Sequence, residues 1–166
     1  NTKIFDAVVL ATHSDQSLSI IKDLSENEKN VLGKIKYQKN TAIIHTDTSI
    51  LPKRKRAWSS WNYLMDNNDN EVILTYNMNI LQSLKSKKTY CVTLNNTDMI
   101  NKNQIIKKII YHHPLFTKDS VDAQSQKNLI CGLNNTYFCG AYWGNGFHED
   151  GLNSALDVCK KFGINL

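Results

Sequence analysis

The sequence predicts an α+β fold: a central antiparallel or mixed sheet of about five strands with short helices, followed by a terminal strand, loop and helix. Three observations predict it. The middle of the chain holds short runs rich in β-branched and aromatic residues, separated by Asn, Asp, Pro and Lys clusters. Each end carries instead a short apolar run and then apolar residues at helical spacing. No internal repeat, low-complexity stretch or Pro/Gly-rich linker interrupts this pattern.

Residues 5–12, FDAVVLAT, form a nearly continuous apolar run and predict a strand buried on both faces. In HSDQSLSIIKDLSENEKNVLGKI, Leu18, Ile21, Leu24, Val31 and Leu32 recur at helical spacing. They predict two short helices, with Ser14 or Asp15 capping the first and Ser25 the second. From Lys36 to about Asn128, the runs YQKNTAIIHTD, RAWSSWNYLM, NEVILTYNM, TYCVTLN and IIKKIIYHHPLF predict antiparallel strands. NILQSLKS inserts a short helix between two of them, and KDSVDAQSQKNLI is a further short helix or a loop.

The end of the chain returns to the style of the start. TYFCG predicts a strand, AYWGNGFHED a loop, and from Gly151 onward Leu152, Ala155, Leu156, Cys159 and Phe162 fall on one helical face. Asp150 is the expected N-cap and Gly163 the expected C-terminal glycine. The layout divides the chain into residues 1–35, 36–130 and 131–166.

A length of 166 residues suits one ordinary domain. Its 41% hydrophobic and 21% charged content is that of a globular protein, and no window approaches the ~18 continuous apolar residues of a membrane span. The opening NTKIFDAVVLATHSD has no initiator Met, charged leader region or long apolar core, so a cut from a longer chain is expected. Cys91, Cys131, Cys139 and Cys159 show no CxxC pairing and no His at zinc-like spacing. They signal no metal site, and they suit buried thiols in a reducing, cytoplasmic setting.

A net charge of +5 permits an anionic partner without demanding nucleic acid. Much of the excess is local, in Lys53, Arg54, Lys55 and Arg56 after a Pro-marked turn. This run is either an anion-binding patch or a solvated connection; no nucleic-acid motif or stacking platform accompanies it, so nucleic acid is not expected.

Glycines before a helix let backbone N–H groups face an anion, and the helix start adds about half a positive charge. Gly140, Gly144, Gly146 and Gly151 are therefore candidates for close approach of a ligand, although they form no GxGxxG fingerprint and also suit a plain strand-turn-helix. Trp58, Trp61, Tyr63, Tyr142, Trp143 and Phe147 could line a pocket or pack a sheet. Trp143, beside Gly144 in a loop, is the stronger functional candidate. His45, His112, His113 and His148 are acid/base candidates where they face a pocket. His112 and His113, before Pro114, also suit a strand end; His148, next to the glycine-rich loop, is the candidate catalytic group.

The blocks FDAVVLATHSD, LGKIKYQKNTAIIHTDTSILPKRKRAWSSWNY, YHHPLFT and YFCGAYWGNGFHEDGLNSAL span nearly the whole chain. They resemble the C-terminal portion of the flavin-containing amine oxidase family. They are more closely similar to bacterial NAD/FAD-binding oxidoreductases that also look like the N-terminal extension of plant cyclopropane-fatty-acid synthases. The resemblance implies FAD as cofactor, with Gly140 and Ala141 approaching it and Glu149, Asp150, Gly151 and Leu152 beginning the helix that meets it. Tyr142, Trp143 and Gly144 complete the implied contact loop; Tyr142 stands where many amine oxidases carry an acid.

The same resemblance implies roles for the three segments. Residues 1–35 and 131–166 would belong to the FAD-contacting part, and residues 36–130 to the substrate-side sheet. A Rossmann-type N-terminal domain, absent from this sequence, would be the principal partner and would hold the adenosine half of FAD. The expected function is the substrate-side part of an FAD-dependent oxidoreductase acting on a small amine or an acyl or lipid substrate. Alone, such a fragment would lack FAD, be inactive and tend to self-associate. The alternative is a non-catalytic binding or scaffold domain that contacts an anionic partner through Lys53, Arg54, Lys55 and Arg56.

Overall fold

The computed structural model describes residues 2–65, 72–95 and 98–164. Asn70 and Glu71, the start of one expected strand, lie outside them. In order, the elements are β1 (Val8–Leu10), α1 (Ser14–Ile20), α2 (Glu26–Lys34), β2 (Tyr37–His45), β3 (Trp61–Met65) and β4 (Val72–Asn77). There follow α3 (Met78–Leu81), β5 (Cys91–Leu94), β6 (Ile105–Pro114), α4 (Lys118–Ser125), β7 (Thr136–Phe138) and α5 (His148–Lys161). The class is the α+β one expected: a five-stranded sheet, a two-stranded parallel pair and short helices. Among the described residues no helix is long and apolar enough to cross a membrane.

The chain forms two compact units, residues 1–38 with 113–166, and residues 39–112. In the first, β1 and β7 pair in parallel from Val8 opposite Thr136 to Leu10 opposite Phe138. Phe138, Leu32 and Ile130 are fully buried there, with Val31, Ile35 and Tyr142 around them. β1 is shorter and more open than a doubly buried strand, since Val8 and Val9 are 46% and 47% exposed and Leu10 alone of the strand is buried.

The caps follow local chemistry. Ser25 begins α2 with a reciprocal capping box: its Oγ accepts from Glu28 N at 3.2 Å, and Ser25 N donates to Glu28 Oε2 at 2.8 Å. The first helix is capped one residue earlier than expected, at His13, whose amide donates to Gln16 Oε1 at 3.1 Å. Ser14 is committed elsewhere: it is fully buried, its amide donates to Tyr37 Oη at 2.9 Å, and its hydroxyl donates to Ile35 O at 3.2 Å. At the far end of α5, Gly163 adopts φ 76° and lets Ile164 N reach back to Cys159 O at 3.1 Å.

The larger sheet has the strand order β3-β4-β5-β2-β6. Directly opposed residues in an antiparallel ladder share a face. On one face a row runs from Asn62 through Thr75 and Thr93 to Ile43, and the next joins Asn77, Cys91 and His45. Every one of these is buried. The opposite face carries Trp61, Tyr76, Val92 and Ile44 in one row and Tyr63, Leu74, Leu94 and Ala42 in the next. Trp61 and Tyr63 are 48% and 62% exposed, so the polar face is covered and the apolar face is open along its β3 side.

Hydrogen bonds make the buried polar face tolerable. His45 Nε2 bonds Thr93 Oγ1 at 2.8 Å, Thr93 bonds Thr75 at 2.9 Å, and Asn62 Nδ2 donates to Thr75 O at 3.3 Å. Ile50 and Ile100 pack over Ile43 on this side. The RAWSS run departs from the strand expectation: residues Lys55–Ala57 form a 3-10 turn, and the strand starts only at Trp61. The Trp58 indole explains this, since its N–H donates back to Pro52 O at 2.8 Å and holds the chain in a bend.

Candidate functional site

Two parallel strands from opposite ends of the sequence finish side by side, because Cys139 N donates to Leu10 O at 3.1 Å just beyond the β1–β7 ladder. Ala11 and Thr12 thus follow one strand where Gly140 and Ala141 follow the other. In parallel sheets this carboxyl edge is where ligands bind.

Gly140 turns the chain out of β7 at φ 155° and ψ 160°, a conformation that favours glycine; a Cβ there would also meet the Tyr142 ring at 2.5 Å. Its amide donates to Ser154 Oγ at 2.8 Å, and that hydroxyl donates to Gly151 O at 2.9 Å, which ties the loop to α5. Residues Ala141–Trp143 form a 3-10 turn. Gln124 then clamps it from α4, with Nε2 donating to Tyr142 O at 2.9 Å and to Gly144 O at 2.6 Å.

Helix α5 starts at His148, with Phe147 at the cap position. Asp150 is therefore the third helical residue rather than the N-cap. Its Oδ2 accepts from Asn145 N at 3.0 Å and from Phe147 N at 2.9 Å. A side chain at Gly144 would collide with the same carboxylate, which accounts for that glycine from inside the fold. The Phe147 ring cannot cap, so the amides of His148, Glu149 and Asp150 have no acceptor among the described residues.

The individual candidates take different environments. Tyr142 is 4% exposed and packs in the core with Leu10 and Phe138. Burial pushes its phenol far above the ordinary value; the Trp143 indole opposes this without completing a hydrogen bond, and Tyr142 Oη and Trp143 Nε1 are both buried and unsatisfied. Trp143 is half-buried, under Lys127 Nζ at 5.9 Å from its ring centre. Gly151 packs against Ala141, where a Cβ would sit 3.7 Å from the Ala141 amide nitrogen. His148, Glu149 and Leu152 are exposed.

Ser154 and Gln124 were not marked by sequence. A serine inside an amphipathic helix and a glutamine in a polar one carry no local signal, and only the fold brings them to the loop. Of the other candidates, His45 is fully buried in the sheet and His112 is exposed in β6, which also holds His113. Lys53, Arg54, Lys55 and Arg56 are exposed, with Lys55 Nζ 5.8 Å over the Trp58 ring. Cys91, Cys131 and Cys139 are buried, and Cys159 is half-buried.

A cavity of about 150 Å³ adjoins the loop, lined by residues that include Trp143, Gly144, Asp150 and Ser154. Drug-sized ligands occupy ~300–1,000 Å³. The open first-turn amides of α5 suit an acceptor group of the flavin nucleotide implied by the resemblance; Tyr142 Oη lies in the core and is not part of that donor set. The amides of Asn145 and Phe147 do not fit an anion, because Asp150 already occupies them.

No protein-family model matches the chain, and no curated protein matches it in sequence. Solved structures do share its fold. A candidate protoporphyrinogen oxidase from Exiguobacterium sp. 255-15 aligns with TM-score 0.58 and 12% identity, over 95% of this chain and 41% of its own. A CLA-producing fatty acid isomerase from P. acnes aligns with TM-score 0.57 and 12% identity, over 96% and 42%. The chain thus spans about two-fifths of the length of each, and at this identity the likeness is one of fold.

Proposed function

We propose that this chain is the substrate-side and flavin-contacting part of an FAD-dependent oxidoreductase. The observation that carries it is the convergence of Ala11 and Thr12 with Gly140 and Ala141 at the carboxyl edge of a parallel pair, beside a helix start with open amides. The fold likeness to an oxidase and to an enzyme acting on a fatty acid supports it.

In this function residues 131–166 with 1–35 contact the cofactor, braced by α4, and the five-stranded sheet within residues 36–130 forms the substrate side. Gly140 and Ala141 allow close approach. The amides of His148, Glu149 and Asp150 donate to an acceptor edge, aided by the positive end of α5. Asp150 holds the loop in shape, and Gln124 and Ser154 brace it. Trp143 forms a wall of the site, with Gly144 and Gly151 at its base and Leu152 at its exposed rim. Tyr142 acts from the core, as a prop for Gly140. His148, exposed at the helix start, is the group available for proton transfer. The flavin itself supplies hydride acceptance from a substrate C–H bond.

The exposed apolar residues Ile4, Phe5, Val8 and Val9 support a covering domain of Rossmann type beside β1, since parallel strands are normally covered on both faces. Reducing cytoplasm suits the free thiols. The decisive experiment is the visible absorption spectrum of the longest gene product that contains this chain. A flavin band that weakens on Gly140→Val or Asp150→Lys is expected. A protein that stays colourless after reconstitution with FAD overturns the proposal and leaves a binding module.

A further inference from the structure

The covered face of the larger sheet carries Asn62, Thr75, Thr93, Asn77 and His45 among the apolar Ile43, Ile73 and Cys91, while the apolar rows of the other face lie open along the β3 side. Neither row of the open face holds a charged side chain; its polar atoms are the phenols of Tyr63 and Tyr76 and the indole N–H of Trp61. Trp61 and Tyr76 pack edge-on at 5.6 Å, which makes a continuous aromatic surface. Met65, on the same side of β3, is 71% exposed.

A cleft of about 250 Å³ opens beside the edge strand β3, between residues 49–53 and residues 62–64; Asn62 and Leu64 of its lining lie on the covered side of the strand and Tyr63 on the open side. Ile50, Leu51, Pro52 and Leu64 give it apolar walls, Tyr63 joins it to the open face, and Lys53 is the one charged residue of its lining. The Asn62 amide is already committed, with Oδ1 accepting from Ser59 N at 3.2 Å and Nδ2 donating to Ser59 O at 2.7 Å and Thr75 O. Lys53 stands on a fixed turn, because Leu51 N bonds Thr48 O at 3.1 Å and Trp58 Nε1 bonds Pro52 O at 2.8 Å.

We infer that this cleft binds the carboxylate end of a long, unbranched acyl chain. Lys53 pairs with the head, and the tail runs between Leu64 and Leu51 and round the edge strand β3, past Tyr63, onto the apolar face. Charge selects this occupant: a single cation stands at one end of an uncharged track, and neither the cleft nor the open rows offer a carboxylate for an amine. The cleft is smaller than the usual ~300–1,000 Å³ of a ligand site, so it takes the head and first methylenes while the face takes the rest. The site lies wholly within residues 39–112 and needs no cofactor. It extends the substrate half of the function proposed above, and its failure leaves the flavin test untouched.

The test is titration of the whole chain with laurate below its micellar concentration, followed by calorimetry and by tryptophan fluorescence. Dodecylamine and methyl laurate serve as head-group controls. Saturable laurate binding is expected, with the amine and the ester each weaker by about tenfold or more, the scale of one charge-assisted contact. Lys53→Glu should abolish binding, Leu64→Trp at the partly exposed wall should block it while leaving the far-ultraviolet circular dichroism spectrum unchanged, and Lys87→Ala, at an exposed lysine outside the cleft, should leave it unaltered. Equal affinity for amine and carboxylate overturns the inference, as does laurate binding that survives Lys53→Glu. Binding to anionic vesicles without binding of monomeric laurate would identify a membrane surface instead. Self-association that persists at saturating laurate would show that a second copy covers the face.

Discussion

Asp150 and Phe147 close the entry of α5 on itself: the Phe147 amide donates to Asp150 Oδ2 at 2.9 Å from the residue that precedes the helix. Asn145 N adds a second bond at 3.0 Å to the same oxygen. One carboxylate thereby holds the last stretch of the turn, from Asn145 to Phe147, against the start of α5.

Replacing that carboxylate tests its weight. Asp150→Ala removes a cap-like, charge-assisted pair and should cost about 1–2 kcal/mol. For a chain of this size the loss corresponds to a fall in Tm on the order of 5 °C. Asp150→Asn keeps an acceptor and should lose less. An unchanged melting temperature for the alanine variant would remove Asp150 from this role.

Gly144 and Asp150 are coupled by space. A Cβ at Gly144 collides with the Asp150 carboxylate, so Gly144→Ala should destabilise the wild-type protein by about 1–3 kcal/mol. In the Asp150→Ala background the obstruction is gone, and the same substitution should cost clearly less. Additive losses in a double-mutant cycle would contradict the collision.

Acid should weaken the protein in two separate steps. Burial holds the His45 pKa below its ordinary 6.5, with Asp47 opposing the shift. As pH falls below that value the unfolded chain takes up a proton that the folded chain resists, so stability declines there and His45→Gln should flatten the decline. Asp47 moves the other way. Burial alone would raise its pKa, but the amides of Asn101 and Ser49, together with His45, outweigh burial and hold it below 3.8. Its contribution is present above that value and is lost as pH falls through the lower, folded pKa. Urea midpoints across this range, with and without His45→Gln, read both steps.

Thiol reactivity should follow burial. Burial pushes the Cys91 thiol up to about 11 and also raises Cys139, despite nearby Lys127. Native protein treated with iodoacetamide near neutral pH should label Cys159 first and Cys91 and Cys139 only after denaturant is added. Peptide mapping distinguishes the sites, and fast native labelling of Cys91 would contradict a closed sheet face.

Much of this architecture was legible in advance because its signals are local. The Ser25 and Glu28 pair fixes the start of α2, Gly163 ends α5, and the β-branched runs around Ile43, Leu74 and Thr93 are strands. The finer features of the loop were not legible. Tyr142 and Trp143 are adjacent aromatics in a glycine-rich stretch, yet one fills the core and the other stays half-buried. An acid near a helix start reads as a cap wherever the helix begins, and only the turn held by Gln124 and Ser154 placed Asp150 at the third position of the helix.

The sequence by itself determined the element types and their order, because helical and strand periods and capping pairs depend on residues a few positions apart. The period of two also sends successive side chains of β3, β4 and β5 to opposite faces. Tertiary structure decided which side of that alternation would be covered. Ile50 and Ile100 pack over the side of Asn62, Thr75 and Thr93, where side-chain hydrogen bonds satisfy the buried polar groups, while Trp61 and Tyr63 are left open. A period of two states that the faces differ; only contacts between residues distant in sequence decide which face is taken out of water.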